Sequence, residues 1–300
     1  MSRPVLSCRF NNQQGIALIV TLLALVLITA MVVEFSYGVY TGTNNLYNWR
    51  DSQRLSIMAT SGVNVIARVM KEAATIEDYK TQSEIEMPIA NPFEDFNGTI
   101  TVRIEDENAK FNIKTLVNSK LEEEPDTREG FQRLLRALSL DEKIANRVVD
   151  YIDRDSIAEL PDSEVGAKNS NFDSVDELLL INGVSRKDYD TLLPYITVYG
   201  DGRININNAK KPVLMCLPGV INDSLAQNII DYRKRTPFDE AGNIVNVPEF
   251  GTLGFSLMTR ITDRANGFYI KSIASSGGVK RIIETVIDMD HGGIQYWKEY

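Results

Sequence analysis

Nineteen residues without a charge, Gly15 to Val33 (GIALIVTLLALVLITAMVV), limit what this chain can fold into more than any other feature. At about 1.5 Å per residue, a helix of that length nearly spans the roughly 30 Å hydrocarbon core of a bilayer. The run follows a short polar leader ending Asn11-Asn12-Gln13-Gln14-Gly15, and the first charge after it is Glu34. A secretory signal or signal anchor usually carries its positive charges hard against the apolar run, whereas Arg3 and Arg9 stand well back. A removable signal also has a shorter apolar core and a small-x-small cleavage site, and no clean one occurs before Tyr37-Gly38.

The helical pattern continues past the span. Leu55, Ala59, Val63, Ile66 and Met70 repeat at three- and four-residue steps, which puts them on one helix face. No proline interrupts Ile16 to Ala74, so one helix is expected from the membrane into a soluble domain. Gly38 and Gly42 are its weak points, at about 1 kcal/mol each relative to alanine.

A helix that is lipid-buried in its first half and amphipathic in its second resembles the spine of the type IV pilin family. That resemblance implies a prepilin, cut on the cytoplasmic side between Gly15 and Ile16, so that the helix stays in the mature protein. The fifth residue after that cut is Val20, where most pilins and pseudopilins carry glutamate. In the family this glutamate is thought to pair with the N-terminal amine of a neighbouring subunit. Its absence suits a terminal subunit, and the large minor pseudopilin K of type II secretion is the member that lacks it.

Composition fits a soluble domain outside the membrane, because 300 residues at 43 % hydrophobic can build one large or two medium cores. Net charge is −9, and losing Arg3 and Arg9 with residues 1–15 takes it to −11, which argues against a general nucleic-acid surface. Cys8 belongs to the leader, leaving Cys216 alone among Leu214, Met215 and Leu217 as a buried apolar filler, with no intramolecular disulfide. His291 is the sole histidine, and no Cys/His metal spacing, phosphate-cradling glycine loop or nucleophile elbow occurs, so no catalytic residue is assigned and no enzyme is expected.

Residues 75–98, broken by Pro88 and Pro92, read as a loop. Strand signals follow at Thr99 to Ile104 and at Phe111 and Ile113. The block IEDENAKFNIKTL (Ile104 to Leu116) resembles the pseudopilin K segment leading into an inserted helical domain. Helices are expected over Phe131 to Leu138 and Glu142 to Tyr151, separated by Ser139-Leu140-Asp141. VVDYIDRDS resembles the family's aspartate-rich turn, with Tyr151 in place of tryptophan, and Ser174 to Val220 carries the closest resemblance. Phe268 to Ser275 and Val279 to Met289, joined by Ser276-Gly277-Gly278, read as a hairpin. The last residues, HGGIQYWKEY, read as a frayed tail whose Tyr296, Trp297 and Tyr300 could dock on a partner.

Two chemistries remain. INGVSRKDYDTLLPYI and LPGVINDSLAQNIIDY each outline a helix-hairpin-helix, or sterile-alpha-motif-like, unit, and Lys210, Lys211, Arg233, Lys234 and Arg235 make the second locally basic. Neither copy has the second turn glycine through which such hairpins meet a phosphate, so nucleic acid is not the expected partner. From Asp150 to Glu177 the chain is acidic, and Asp153, Asp155 and Glu164 occupy positions one, three and twelve of a calcium-loop spacing; the match stops at Ile157 and Ala158, where the loop needs a ligand and a glycine. The resemblance implies Ca2+ in this region, and with Asp162 these residues form the candidate metal set.

The expected fold is α+β: a pilin-like N-terminal helix packed on a small antiparallel sheet, with a large helical insertion. The expected divisions are a leader at 1–15, a spine at 16–74 spanning the membrane over 16–33, a first pilin-like part at 75–116, an inserted helical domain at 117–203, a second hairpin segment with the C-terminal strands at 204–290, and a tail at 291–300. The resemblance implies a minor pseudopilin at the pseudopilus tip of a type II secretion system, anchored once in the bacterial inner membrane with its C-terminal domain in the periplasm. Implied partners are the I and J minor pseudopilins, the prepilin peptidase and inner-membrane components, with methylation alongside cleavage. Filament packing is expected from Val20, Leu55, Ala59, Val63 and Ile66. The alternative is a minor pilin of a type IV pilus handling DNA or surfaces through the hairpins.

Overall fold

The computed structural model describes residues 12–73, 84–219, 221–290 and 292–300. The expected leader lies outside them up to Asn11, taking Arg3, Cys8 and Arg9 with it, as does His291. Helix α1 (Asn12–Ala73) is followed by strands β1 (Glu84–Ile89), β2 (Thr99–Asp106) and β3 (Phe111–Asn112). A helical region comes next: α2 (Pro125–Ala137), α3 (Lys143–Ile152), α4 (Arg186–Leu192), short β4 (Ile196–Thr197) and β5 (Ile204–Asn205), α5 (Lys211–Leu214), α6 (Asp223–Arg235), α7 (Gly251–Leu257) and β6 (Ile261–Thr262). The chain closes with β7 (Gly267–Ser276), β8 (Val279–Asp288) and β9 (Gly293–Glu299).

Two compact units meet within α1, between Arg54 and Leu55. In the first, the helix runs unbroken through Gly38 and Gly42. Every large apolar side chain from Ile16 to Val33 is 55 to 66 % exposed, so this stretch has no packing partner among the described residues. Thr21 and Thr29, the polar side chains in the run, donate their hydroxyls to the carbonyls of Leu18 (2.9 Å) and Leu25 (2.7 Å), the local satisfaction that lipid requires. The helix is long and apolar enough to cross a membrane.

In the second unit the rest of α1 lies on a five-stranded antiparallel sheet of order β1-β2-β7-β8-β9. Leu55, Met58, Ala59, Val63, Ile66 and Met70 pack on Ile100, Val102 and Ile104 of β2, Ile270 and Ala274 of β7, and Ile283 and Ile287 of β8. Gly62 sets the closeness of that contact: a Cβ there would run into Ser272 Oγ and come within 3.0 Å of the Ile100 and Val102 methyls. The expected use of this stripe is corrected here. Leu55, Ala59, Val63 and Ile66 are 2 % exposed or less and are consumed by the chain's own sheet, so they are not available for packing between subunits. The period of an apolar stripe announces burial without saying against what.

Two further expectations change. The loop read over 75–98 contains β1, which pairs with β2 from Glu84↔Glu105 to Ile89↔Ile100; Pro88 is tolerated because β1 is an edge strand. The C-terminal tail is not frayed: β9 pairs with β8 as the other edge, and Tyr300 exchanges backbone hydrogen bonds with Ile282 (2.8 and 3.0 Å). The β7–β8 hairpin is as read, with Gly277 (φ 56°) and Gly278 (φ 85°) supplying the two positive angles of its two-residue turn.

The helical region shares one core running from Phe111 to Ile261, so the boundary expected at 203/204 does not separate two cores. Pro125 at the first turn starts α2 six residues before the periodicity showed, and Ser139 (φ 59°) makes the turn between α2 and α3. Gly130 brings α2 against the backbone ahead of the second hairpin, where a Cβ would run into the Cys216 carbonyl.

A buried polar node ties this region to the sheet. Asp106 ends β2 at 2 % exposure; its Oδ2 accepts from Asn205 Nδ2 and Asn208 Nδ2, both 2.7 Å, and its Oδ1 from the Ala109 N–H at 3.1 Å. Glu107 holds Lys110 at 2.7 Å and the Thr197 hydroxyl. Asn108 donates to Asp201 Oδ1 (3.0 Å) and accepts from the Asn266 and Gly267 N–H groups (3.0 and 3.2 Å). The motif read as a lead-in to the insertion is therefore its anchor.

Candidate metal centre and packing surfaces

Asp153 caps the end of α3, its N–H donating to the Val149 carbonyl. The following turn is shaped by Asp155 Oδ1 accepting the Ile157 N–H (2.8 Å) and by Asp150 Oδ2 accepting the Glu159 N–H (3.1 Å). A second turn, held by Ser163 Oγ donating to the Leu160 carbonyl (2.7 Å), returns Glu164 to the same place. Ligand oxygens of Asp153, Asp155 and Glu164 lie within 4.8 Å of one another. Asp150 Oδ1, Asp153 Oδ1 and Glu164 Oε1 are buried and meet no hydrogen-bond donor among the described residues.

Electrostatics mark the same cluster. Burial first, then Asp155, Glu164, Asp150 and Glu123, push the Asp153 carboxyl up to about 7. All four of those neighbours are acids. The Glu164 carboxyl is raised for the same reasons, by burial and then by Asp150 and Asp155. Converging, undercompensated carboxylate oxygens are the donor set that a hard divalent cation completes, so these residues fit Ca2+. Of the four residues read as the metal set, the structure brings together Asp153, Asp155 and Glu164. Asp162 is exposed on the second turn at φ 64° and is outside the cluster. The spacing missed Asp150, whose charge acts on both Asp153 and Glu164, because residues within a helix do not register in a loop pattern.

The five basic residues of the second hairpin are engaged within the chain. Lys211 pairs with Asp223 (2.6 Å), and Arg233 Nη1 donates to the Ile206 carbonyl (2.7 Å). Lys234 faces Asp231 at 3.9 Å, Arg235 Nε donates to the Asp231 carbonyl, and Lys210 sits 5.3 Å from the Tyr195 ring centroid. Cys216 is buried, which pushes its thiol up, and its Sγ donates to the Pro212 carbonyl: a core filler, as read.

Gly15, Ile16 and Val20 lie in the exposed first part of α1. In the second unit, the face of α1 away from the sheet carries Ile57 and Val65, 53 and 42 % exposed, with Ser61 between them at four-residue steps.

An N-terminal helix with an exposed apolar first part and, from Leu55 on, a helix packed on an antiparallel sheet that also carries a helical region resemble the architecture of the type IV pilin-like class. Residues 109–201 match the model of type II secretion system protein K, and residues 201–259 match a helix-hairpin-helix motif. Type II secretion system protein K of Pseudomonas aeruginosa is 29 % identical over 257 residues, covering 76 % of this chain and 74 % of that one. A chain in the crystal structure of the GspK-GspI-GspJ complex of the enterotoxigenic Escherichia coli type 2 secretion system superposes with a TM-score of 0.63. That match covers 85 % of this chain and 99 % of that one, and at 16 % identity it speaks for the fold. The chain is thus similar to type II secretion system protein K, through its middle by the family model and over most of its length by sequence.

Proposed function

We propose that this protein is a structural subunit at the tip of the pseudopilus, acting in the export of folded proteins across the outer membrane without a catalytic centre of its own. The observation that carries this is the apolar first half of α1 with Val20 as the fifth residue after the Gly15–Ile16 cut: a subunit without a carboxylate there cannot pair with the amine of a subunit beyond it. Before assembly the helix anchors the chain once in the inner membrane, with the second unit in the periplasm. The prepilin peptidase cuts between Gly15 and Ile16, and methylation follows.

The partners are the I- and J-type minor pseudopilins and inner-membrane components of the system. Because the Leu55 stripe is spent on the sheet, the ridge of Ile57, Ser61 and Val65 is left to meet a partner helix. Asp153, Asp155 and Glu164, with Asp150 beside them, hold Ca2+, which fixes the turns after α3 by neutralising them.

The test is the extracellular proteome of a strain lacking this gene against its parent and a complemented strain. Folded exoproteins accumulating in the periplasm are the expected result. Unchanged secretion with lost motility or DNA uptake would overturn it in favour of a pilus.

A further inference from the structure

Arg103 and Glu105 alternate along β2 with the residues that pack on α1, so they face the other side of the sheet. There the sheet meets the helical region across a cavity of about 300 Å³. Three tyrosines from separate elements line it: Tyr269 of β7, Tyr296 of β9, and Tyr199 shortly after β4. The Tyr199 and Tyr296 rings stand 6.0 Å apart. Glu105, Glu107 and Glu284 add carboxylates to the wall.

The cavity already contains one example of what such a wall recognises. Lys110 Nζ sits between Glu105 (2.9 Å) and Glu107 (2.7 Å), and 5.7 Å from the Tyr269 ring centroid. An alkylammonium held by carboxylates against an aromatic face is a favourable arrangement when partly desolvated. The other two bases of the lining are also engaged: Arg103 by Glu84 and Glu105 (2.9 and 3.0 Å), and Lys210 over Tyr195. Glu84 and Asp106 bring the lining to five carboxylates; Glu284 is met by Lys271 (2.8 Å) from outside the lining, and Asp106 is filled by its asparagine and backbone donors. Each ionised carboxylate accepts up to about four hydrogen bonds, so Glu84, Glu105 and Glu107, with one or two cationic partners each, keep acceptor capacity for a further donor group.

We propose that this cavity binds a guanidinium or alkylammonium group, the end of an arginine or lysine side chain offered by a neighbouring subunit. The source of that side chain rests on the pseudopilin reading; the chemistry of the cavity does not. The experiment titrates the full-length chain in detergent with N-acetyl-arginine N-methylamide, its lysine and glutamate counterparts, and agmatine, followed by saturation-transfer NMR. The arginine and lysine probes are expected to saturate on the order of 1 mM. The glutamate probe is expected not to bind, and Tyr296→Ala to weaken the cation probes at least tenfold with unchanged melting. Glu284→Gln, which keeps the shape of the wall, is expected to weaken them as well and serves if Tyr296→Ala does not fold. No saturation by either cation, equal binding of the glutamate probe, or indifference to both variants overturns the proposal. Agmatine binding more tightly than the capped arginine overturns the neighbouring subunit as source. Normal secretion in the deletion strain would remove the pseudopilin role and leave these titrations standing.

Discussion

Asp106 and Asp153 are both buried aspartates whose carboxyls are pushed up, to about 6 and about 7, with burial as the leading cause in each. What differs is what surrounds them. Asp106 is opposed by neutral donors, two asparagine amides and a backbone N–H, which fill its oxygens. Asp153 is opposed by four other carboxylates and keeps an oxygen without a donor. A buried acid that the fold has satisfied is part of the framework, and one it has left in like-charged company is a place for a cation.

The comparison breaks most visibly at Asp106. Asp106→Ala leaves three buried donors unmatched, at a cost of about 3 kcal/mol or more, and it loosens the helical region from the sheet. Chemical unfolding of the full chain reads the loss. A variant within 0.5 kcal/mol of the parent would mean that the node is ornamental.

Second in size is removal of the ion. With Ca2+ at about a hundred times its dissociation constant, binding to the native state contributes about 2.7 kcal/mol, so a chelator should lower the melting temperature of the parent. It should leave an Asp153→Asn variant nearly unmoved. A parent indifferent to chelator, with no heat of binding on Ca2+ titration, removes the metal from the account.

A smaller effect separates the two aspartates by pH. Each carboxyl sits above its ordinary 3.8, so each contributes stability that is complete below that value and is lost as pH rises through the folded-state value. In chelator, stability should therefore fall with pH up to about 6 on account of Asp106, and up to about 7 on account of Asp153. Asp153→Asn should abolish the upper part and gain about 1 kcal/mol at pH 8. With Ca2+ present the Asp153 component should disappear, because the ion favours the ionised form, while the Asp106 component remains. Melting curves from pH 4 to 8 decide it.

What could be read from the residues follows the range of the interactions involved. The membrane run, the α1 stripe, the β7–β8 hairpin and the Asp153–Asp155–Glu164 spacing are local patterns and were legible. The partner of the stripe was not: burial of Leu55 or Ile66 looks the same in one dimension whether a sheet or another subunit covers it. Strand β1 was hidden by Glu84, Glu86 and Pro88, residues that suit an edge and read as a loop. Strand β9 was hidden behind Gly292-Gly293. Asp106 stands out in the sequence only as part of the Ile104–Leu116 block, because its partners Asn205 and Asn208 lie about a hundred residues away. The cavity tyrosines come from three separate elements and have no common spacing at all.

Asp162 supplies the smallest effect and the sharpest control. By sequence it stands two residues from Glu164 and belongs with the metal set; in the fold it is exposed at φ 64°, a conformation asparagine adopts as readily as aspartate. Asp162→Asn should leave Ca2+ affinity unchanged and shift stability by less than about 0.5 kcal/mol. Glu164→Gln, two positions along, should weaken Ca2+ binding at least tenfold, because it removes charge from an oxygen of the cluster itself. If the two substitutions weaken binding equally, acidity of the stretch as a whole rather than convergence at one point attracts the ion. The distinction drawn from Asp106 and Asp153 would then fail at its second member.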